Sequence, residues 1–268
     1  MAAIENRAEN ALGTTRRDLF LTAVAGGTAM TAALADGAAA QTSAPISDAP
    51  GGMMFDIYVR YPAGKLEDWI KFWTQNVVSL EARGQSLWAA WYGLTGQQDA
   101  ATHQWAYRDL AHYQAMAKVR SNPRAGGAAA AAVVPIEEVL FSAVMTPLPY
   151  HPEQPLPATH GDDSVIVTHR IVRPLMRDGQ SHARLMGEYL ALAASTGAEL
   201  HGAFETFFGW TPSYMLHVWR YRSMDHYWSS RDAIARSADA VQLQAAMRAI
   251  YPTETIDLHR PMPYSRLR

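Results

Sequence analysis

Apolar positions along the chain change period several times, and the changes divide it into elements. Met54-Phe55-Asp56-Ile57-Tyr58-Val59-Arg60-Tyr61 is rich in β-branched and aromatic residues and predicts a strand, closed by the turn Pro62-Ala63-Gly64. Leu66, Trp69, Ile70, Trp73, Val77 and Leu80 then recur three and four apart, which predicts an amphipathic helix ending near Gly84. Strands follow at Leu87–Tyr92 and Thr102–Arg108, on either side of a turn at Gly93–Ala100. Next come a helix from Asp109 to Arg120, a small helix over Ala125–Ala132 and a long strand over Ile136–Thr146. The order β-α-β-β-α-β is that of a ferredoxin-like split βαβ unit.

After a proline-rich linker at 151–163 the order returns. A strand at Val165–Val172 precedes a helix at Gln180–Thr196, with Leu185, Met186, Tyr189, Leu190 and Ala193 on one face. Strands at Glu199–Phe208 and Tyr214–Arg222 lead to helices at Met224–Ser237 and Ala240–Ile250, and Thr253–Arg260 is the last strand. The repetition is also literal. His103-Gln104-Trp105-Ala106-Tyr107-Arg108 leads into His112-Tyr113, and His217-Val218-Trp219-Arg220-Tyr221-Arg222 into His226-Tyr227. The six shared residues stand at identical spacing, and the same offset carries Pro147-Leu148-Pro149-Tyr150 onto Pro261-Met262-Pro263-Tyr264. This is an internal duplication. A ferredoxin-like unit leaves one sheet face bare. Two units in one chain can press those faces together as an α+β barrel with a lined cavity between them. The expected fold is therefore α+β, two tandem βαββαβ repeats (53–150 and 164–268) packed sheet to sheet.

Composition narrows the partners. A formal net charge of −2 over 268 residues argues against a nucleic-acid binder working through phosphate neutralisation. The absence of cysteine excludes disulfides and thiolate chemistry. Residues 1–40 read as an address. Thr15-Arg16-Arg17-Asp18-Leu19-Phe20-Leu21 precedes an uncharged, mildly apolar run from Thr22 to Ala35, and Ala38-Ala39-Ala40 supplies a small-residue cleavage site. The paired arginines resemble a twin-arginine export signal, so the expected location is periplasmic, with 41–52 as a flexible lead-in and no membrane span after signal removal.

The W-x-Y strand, Trp91-Tyr92-Gly93, the Pro-Ala-Gly-Lys-Leu entry to the first helix and the double copy together resemble the NIPSNAP family, of the dimeric α+β barrel group. The resemblance covers 53–266 and is clearest at Tyr58, Gly64, Lys65, Leu66, Gly93, Trp105 and Tyr107. It is weaker where Arg173-Pro174-Leu175 stands for Pro-Ala-Gly. The group includes cofactor-free monooxygenases, polyketide cyclases, isomerases, haem enzymes and members without known activity. The resemblance thus implies a fold rather than a reaction; homo-oligomers are compatible with it.

Strand alternation places His103, Trp105 and Tyr107 on one face, and likewise His217, Trp219 and Tyr221. They line the cavity for proton transfer, or they are the packing signature of the repeat. His112, Tyr113, His226 and Tyr227 begin helices and read as surface or capping residues. Differences between the repeats are the better guide to a site. Aligning Gly93 with Gly209 sets Leu87, Ala89 and Trp91 opposite Ala203, Glu205 and Phe207. Glu205, with His201 four residues away, becomes the first candidate for an acid or base. The first strands set Tyr58 and Arg60 opposite His169 and Arg170, and an arginine at a cavity mouth holds a carboxylate or enolate or else makes a surface ion pair. His103, His217, His201, His169 and Glu205 lack the spacing of a metal site, and no phosphate loop, nucleophile elbow or dinucleotide fingerprint is present. The expected function is binding of a small apolar or aromatic molecule, with cofactor-independent proton-transfer or oxygenation chemistry if it is an enzyme. There Glu205 or a histidine is the base, and Tyr58, Tyr107 or Tyr221 polarises an oxygen. The rivals are a non-catalytic module with a filled core and a haem-binding barrel.

Overall fold

The computed structural model describes residues 52–97, 99–121, 138–152, 163–172, 179–209, 214–251 and 253–267. The expected export signal, nearly all of the expected lead-in, the helix expected at Ala125–Ala132, most of the linker, Arg173-Pro174-Leu175 and the turn after Gly209 lie outside them.

The first repeat comprises β1 (Met53–Arg60), α1 (Leu66–Glu81), β2 (Ser86–Gly93), β3 (Ala100–Tyr107), α2 (Leu110–Ser121) and β4 (Glu138–Pro147). The second comprises β5 (Val165–Val172), α3 (Gly179–Ser195), β6 (Glu199–Gly209), β7 (Tyr214–Tyr221), α4 (Met224–Arg236), α5 (Ala238–Ile250) and β8 (Glu254–Pro261). The eight strands close into one barrel in the order β1-β3-β2-β8-β5-β7-β6-β4. The α+β barrel expected from the duplication is thus present. Its halves are joined edge to edge, through antiparallel seams β2·β8 and β4·β6, which leaves no exposed edge among the described strands.

The helices lie outside. Trp69, Val77, Leu87, Ala90, Trp105 and Tyr107 pack between α1 and the sheet of the first repeat. Leu185, Met186, Ala203, Met215, Leu243 and Met247 do the same in the second. A separate core fills the interior and draws on both repeats: Met54, Trp88, Trp91, Phe141, Met145, Ile166, Phe204, Tyr214, Leu216 and Val218, with Leu267 of the C-terminal segment. Gly202 is needed there, because a Cβ would collide with the Phe204 ring and stand 2.9 Å from Trp88.

The duplicated motifs prove to be fasteners. Tyr150 of the first repeat shares a 3.0 Å hydrogen bond with His217 Nε2 of the second, and Tyr264 of the second shares one of 2.8 Å with His103 Nε2 of the first. Backbone bonds accompany them: Leu148 N–H donates to Ala203, and Met262 N–H to Ala90. Each P-x-P-Y tail therefore clasps the other repeat's H-x-W-x-Y strand, each hydrogen bond contributing about 1 kcal/mol. His112 and His226 are also structural. Each accepts a backbone N–H at Nδ1, from Arg108 and Arg222, so that Nε2 carries the proton donated to Gly84 and Thr196 at the ends of α1 and α3.

Candidate functional site

The pleat decides which residues meet inside the barrel. The register pairs Met54, Asp56 and Tyr58 of β1 with Ala106, Gln104 and Thr102 of β3, and these point inward with the interior core. The alternate residues His103, Trp105 and Tyr107 point outward, beneath α1, where His103 stacks on Trp69 at 5.9 Å and meets Trp73 at 4.4 Å. His217, Trp219 and Tyr221 take the equivalent positions in the second repeat, where Trp219 and Tyr221 belong to an outer core and His217 meets Tyr150. The cavity-lining placement expected for these six is therefore corrected, since the motif's odd register faces the helices. Burial takes the His103 imidazole down to about 3, and pushes the Tyr221 phenol up to about 12. His103 is consequently neutral, as a packing residue requires.

Glu205 is likewise displaced. Leu87 and Leu200 face Trp105 and Trp219 at equivalent positions, and Ala90 and Ala203 face His103 and His217. The counterpart of Glu205 is thus Tyr92, not Ala89. The glycine-to-glycine alignment was off by three residues, and an odd slip exchanges the faces. Glu205 pairs with Met215 on the helix side. A bulge between Leu200 and Gly202 changes the parity, and His201 turns toward Glu199 at 3.8 Å. The expected Glu205–His201 pair does not form on one face. His169 is also outside, 2.9 Å from Glu254, in a cleft of about 60 Å³ shared with Tyr189, Arg231 and Arg248. Arg60 sits at the barrel rim in an ion pair with Glu138 at 2.6 Å. Of the expected site residues, Tyr58 and Trp91 reach the interior.

The polar groups that do converge inside were not expected as a set. Asp56 is fully buried and accepts from Gln104 Nε2 at 2.9 Å and from the Tyr214 hydroxyl at 3.5 Å. Burial raises its carboxyl above the usual 3.8, although the Arg170 guanidinium and both hydrogen bonds pull the other way. Arg170 Nη1 donates to Thr168 Oγ1 at 3.2 Å and to Asp257 at 3.3 Å, and its guanidinium lies 5.3 Å from the Phe141 ring. Thr168 also bonds His259 Nε2 at 2.8 Å, and burial, with Arg170 nearby, holds His259 well below its usual range. Trp91 packs 5.8 Å from His259.

Some of the buried polar atoms without a hydrogen-bond partner among the described residues fall in this group: Trp91 Nε1, Thr102 Oγ1, Gln104 Oε1 and His259 Nδ1. Each costs about 1–3 kcal/mol when left dry. The cluster also breaks the pseudo-symmetry. Through the strand registers Asp56 answers to Thr168, Tyr58 to Arg170, Thr102 to Leu216 and Gln104 to Val218. This difference was one signal in the chain that could have found the site, and it needed the correct register. Among the described residues no three His, Asp or Glu side chains are grouped to hold a metal ion.

Residues 58–152 match the NIPSNAP family model. No curated protein matches the chain. Among solved structures, an anthrone oxidase-like protein is 12% identical, with 81% of this chain and 93% of that one covered and a TM-score of 0.53. A chlorite dismutase variant from Candidatus Nitrospira defluvii is 10% identical, covering 79% and 91%, with a TM-score of 0.51. A NIPSNAP family protein from Agrobacterium tumefaciens is 25% identical over 39% of this chain and 91% of its own, with a TM-score of 0.35. The chain therefore matches the NIPSNAP model over 58–152, and its described residues share the α+β barrel fold of the anthrone oxidase-like and chlorite dismutase structures.

Proposed function

We propose that the barrel interior binds one small, flat, oxygen-bearing apolar molecule, and that Asp56 exchanges a proton with it without a cofactor. The observation that carries this reading is the group of unpartnered buried polar atoms beside Asp56, at positions where the two repeats differ. Trp91, Phe141 and Tyr58 supply apolar surface for the body of the ligand. The Asp56 carboxyl, with its raised affinity for a proton, takes one from an acidic C–H or O–H and returns it, while the Tyr58 hydroxyl polarises the ligand oxygen. Proton removal at one carbon and return at another is an isomerisation, and removal alone leaves a carbanion for cyclisation or for oxygenation by dioxygen.

Solvent deuterium exchange into the α-carbon of 2-tetralone, followed by NMR, tests this. The native protein is expected to accelerate exchange over buffer, and Asp56→Asn to lose that acceleration by about 100-fold. A full rate in Asp56→Asn would overturn the assignment of Asp56. Binding without acceleration would leave the interior as a non-catalytic ligand site. Asp56→Asn should also alter the stability profile. A carboxyl with a raised native pKa favours the folded state while protonated. The native protein should therefore lose stability relative to Asp56→Asn as pH rises from about 3.8 through the native value.

The same proposal places the protein in the periplasm, on the strength of Arg16-Arg17 and the uncharged run behind them. Replacing both arginines with lysine is expected to leave the uncleaved precursor in the cytoplasm on fractionation. Unchanged export would remove the twin-arginine reading.

A further inference from the structure

The second repeat carries a polar pair that the first lacks. The registers set His169 opposite His217 as Ile57 stands opposite His103, and Glu254 opposite Ile171 as Val139 stands opposite Val59. Two apolar positions have thus become an imidazole and a carboxylate, 2.9 Å apart. The helix above them is also less bulky. Counting back from Gly84 and Gly197, which follow α1 and α3 at positive φ, Met186 takes the place of Trp73, whose indole lies against His103 in the first repeat. Here the cleft of about 60 Å³ opens between α3, α4 and α5, with His169 and Glu254 joined by Tyr189, Arg231, Gln244 and Arg248.

Inside the cleft the hydrogen bonds leave the cations unused. Glu254 only accepts, so His169 Nε2–H donates to it, and Nδ1 accepts from the Tyr189 hydroxyl at 3.5 Å. The His169 bond holds the Glu254 carboxyl below its ordinary range, with Arg248 and Arg231 acting the same way. Two guanidiniums therefore face one carboxylate. The neighbouring helix carboxylates are engaged elsewhere, Asp232 with Arg236 and Glu188 with Arg184. Among the described residues no ion pair or hydrogen bond closes on Arg231 or Arg248. One positive charge is left over in a concave site. Size selects its partner. A cavity of about 150 Å³ holds the six carbons of benzene, so one of about 60 Å³ encloses roughly two or three non-hydrogen atoms. A carboxylate group fits that space, and its two oxygens match the planar fork of a guanidinium, whereas a phosphate is too large. We propose that this cleft binds the carboxylate of a small organic acid between Arg231 and Arg248, with the rest of the acid projecting into solvent past the exposed Arg248. The site lies on the helix side of the sheet and is independent of the barrel interior.

Saturation-transfer NMR on the full chain compares acetate with acetamide, its uncharged analogue of the same shape. The native protein is expected to bind acetate about tenfold more tightly than acetamide. Arg231→Gln and Arg248→Gln should each lower acetate affinity about tenfold and leave acetamide unchanged. Both arginines are at least partly exposed, so neither substitution threatens the fold. Glu254→Gln should act in the opposite direction. It removes the carboxylate that competes for the guanidiniums, and because Glu254 is partly exposed the gain should reach about fivefold. Arg60→Gln, at the barrel rim, should change nothing, and 2-tetralone should not compete. Equal binding of acetate and acetamide, or no saturable acetate binding, would overturn the anion site. Acetate binding that survives Arg231→Gln/Arg248→Gln, or that 2-tetralone displaces, would overturn its placement in the cleft. Inorganic phosphate that displaces acetate at a lower concentration than acetate itself requires would overturn the carboxylate class. A fall in affinity in Glu254→Gln would overturn the charge balance.

Discussion

Phe204→Ala should cost about 3–5 kcal/mol, while Glu205→Gln, one residue along the same strand, should cost about 1 kcal/mol or less. Phe204 is fully buried in the barrel interior, edge-on to Trp88 at 5.6 Å and against His151 at 4.7 Å. Removing its ring leaves a cavity among strands tied into a closed hydrogen-bonded barrel, which limits how far the walls can relax. Glu205 is half-buried on the helix side, and its amide keeps nearly the same shape. Chemical denaturation of the two variants measures the contrast. Equal, small effects would mean that the interior packing described for β6 is wrong.

A comparable loss is expected from Glu199→Leu, and much of it should return in Glu199→Leu/Arg220→Met. Arg220 is 1% exposed, and its guanidinium meets Glu199 through Nη2 at 2.5 Å and Nε at 3.1 Å. Deleting the carboxylate alone leaves a buried cation short of its main partner, which costs about 3–5 kcal/mol. Replacing both charges with apolar side chains of similar volume is often neutral or better. The two strands pair directly at these residues, and Arg220 is buried whereas the Glu199 side chain is 33% exposed, so the stranded cation has the larger cost. If the double variant is no more stable than Glu199→Leu, the pair is not held by mutual charge compensation, and Arg220 serves chiefly through its packing.

The duplication was the most legible feature of the chain. Six matched residues at one spacing, with a second matched motif at the same offset, were enough to predict two units that shelter each other. Element order followed from periodicity, because the aromatic stripe of α1 and the β-branched strands are strong local signals. The site was much less legible. Alternation says that His103, Trp105 and Tyr107 share a face, but both faces of these strands are buried, one by helices and one by the barrel itself, and hydrophobicity does not tell them apart. Conspicuous rings therefore drew attention to the outer face. Asp56, a single carboxylate inside an apolar strand, was the better clue, and it gains meaning only once Gln104, Tyr214 and Arg170 stand around it.

Local chemistry determined the repeats, the strand and helix order, and the large aromatic residues that recur in both halves. Those properties depend on neighbours a few positions away, and on a pattern copied once along the chain. Three-dimensional closure decided the rest: which face became the interior, that bulges at Leu87–Ala89 and Leu200–Gly202 reset the parity of β2 and β6, and that Asp56 and Arg170, from different repeats, come close enough to interact electrostatically. The physical reason is that facing and partnership in a barrel are set by register around its whole circumference. A single bulge redirects every side chain beyond it while leaving local periodicity almost unchanged.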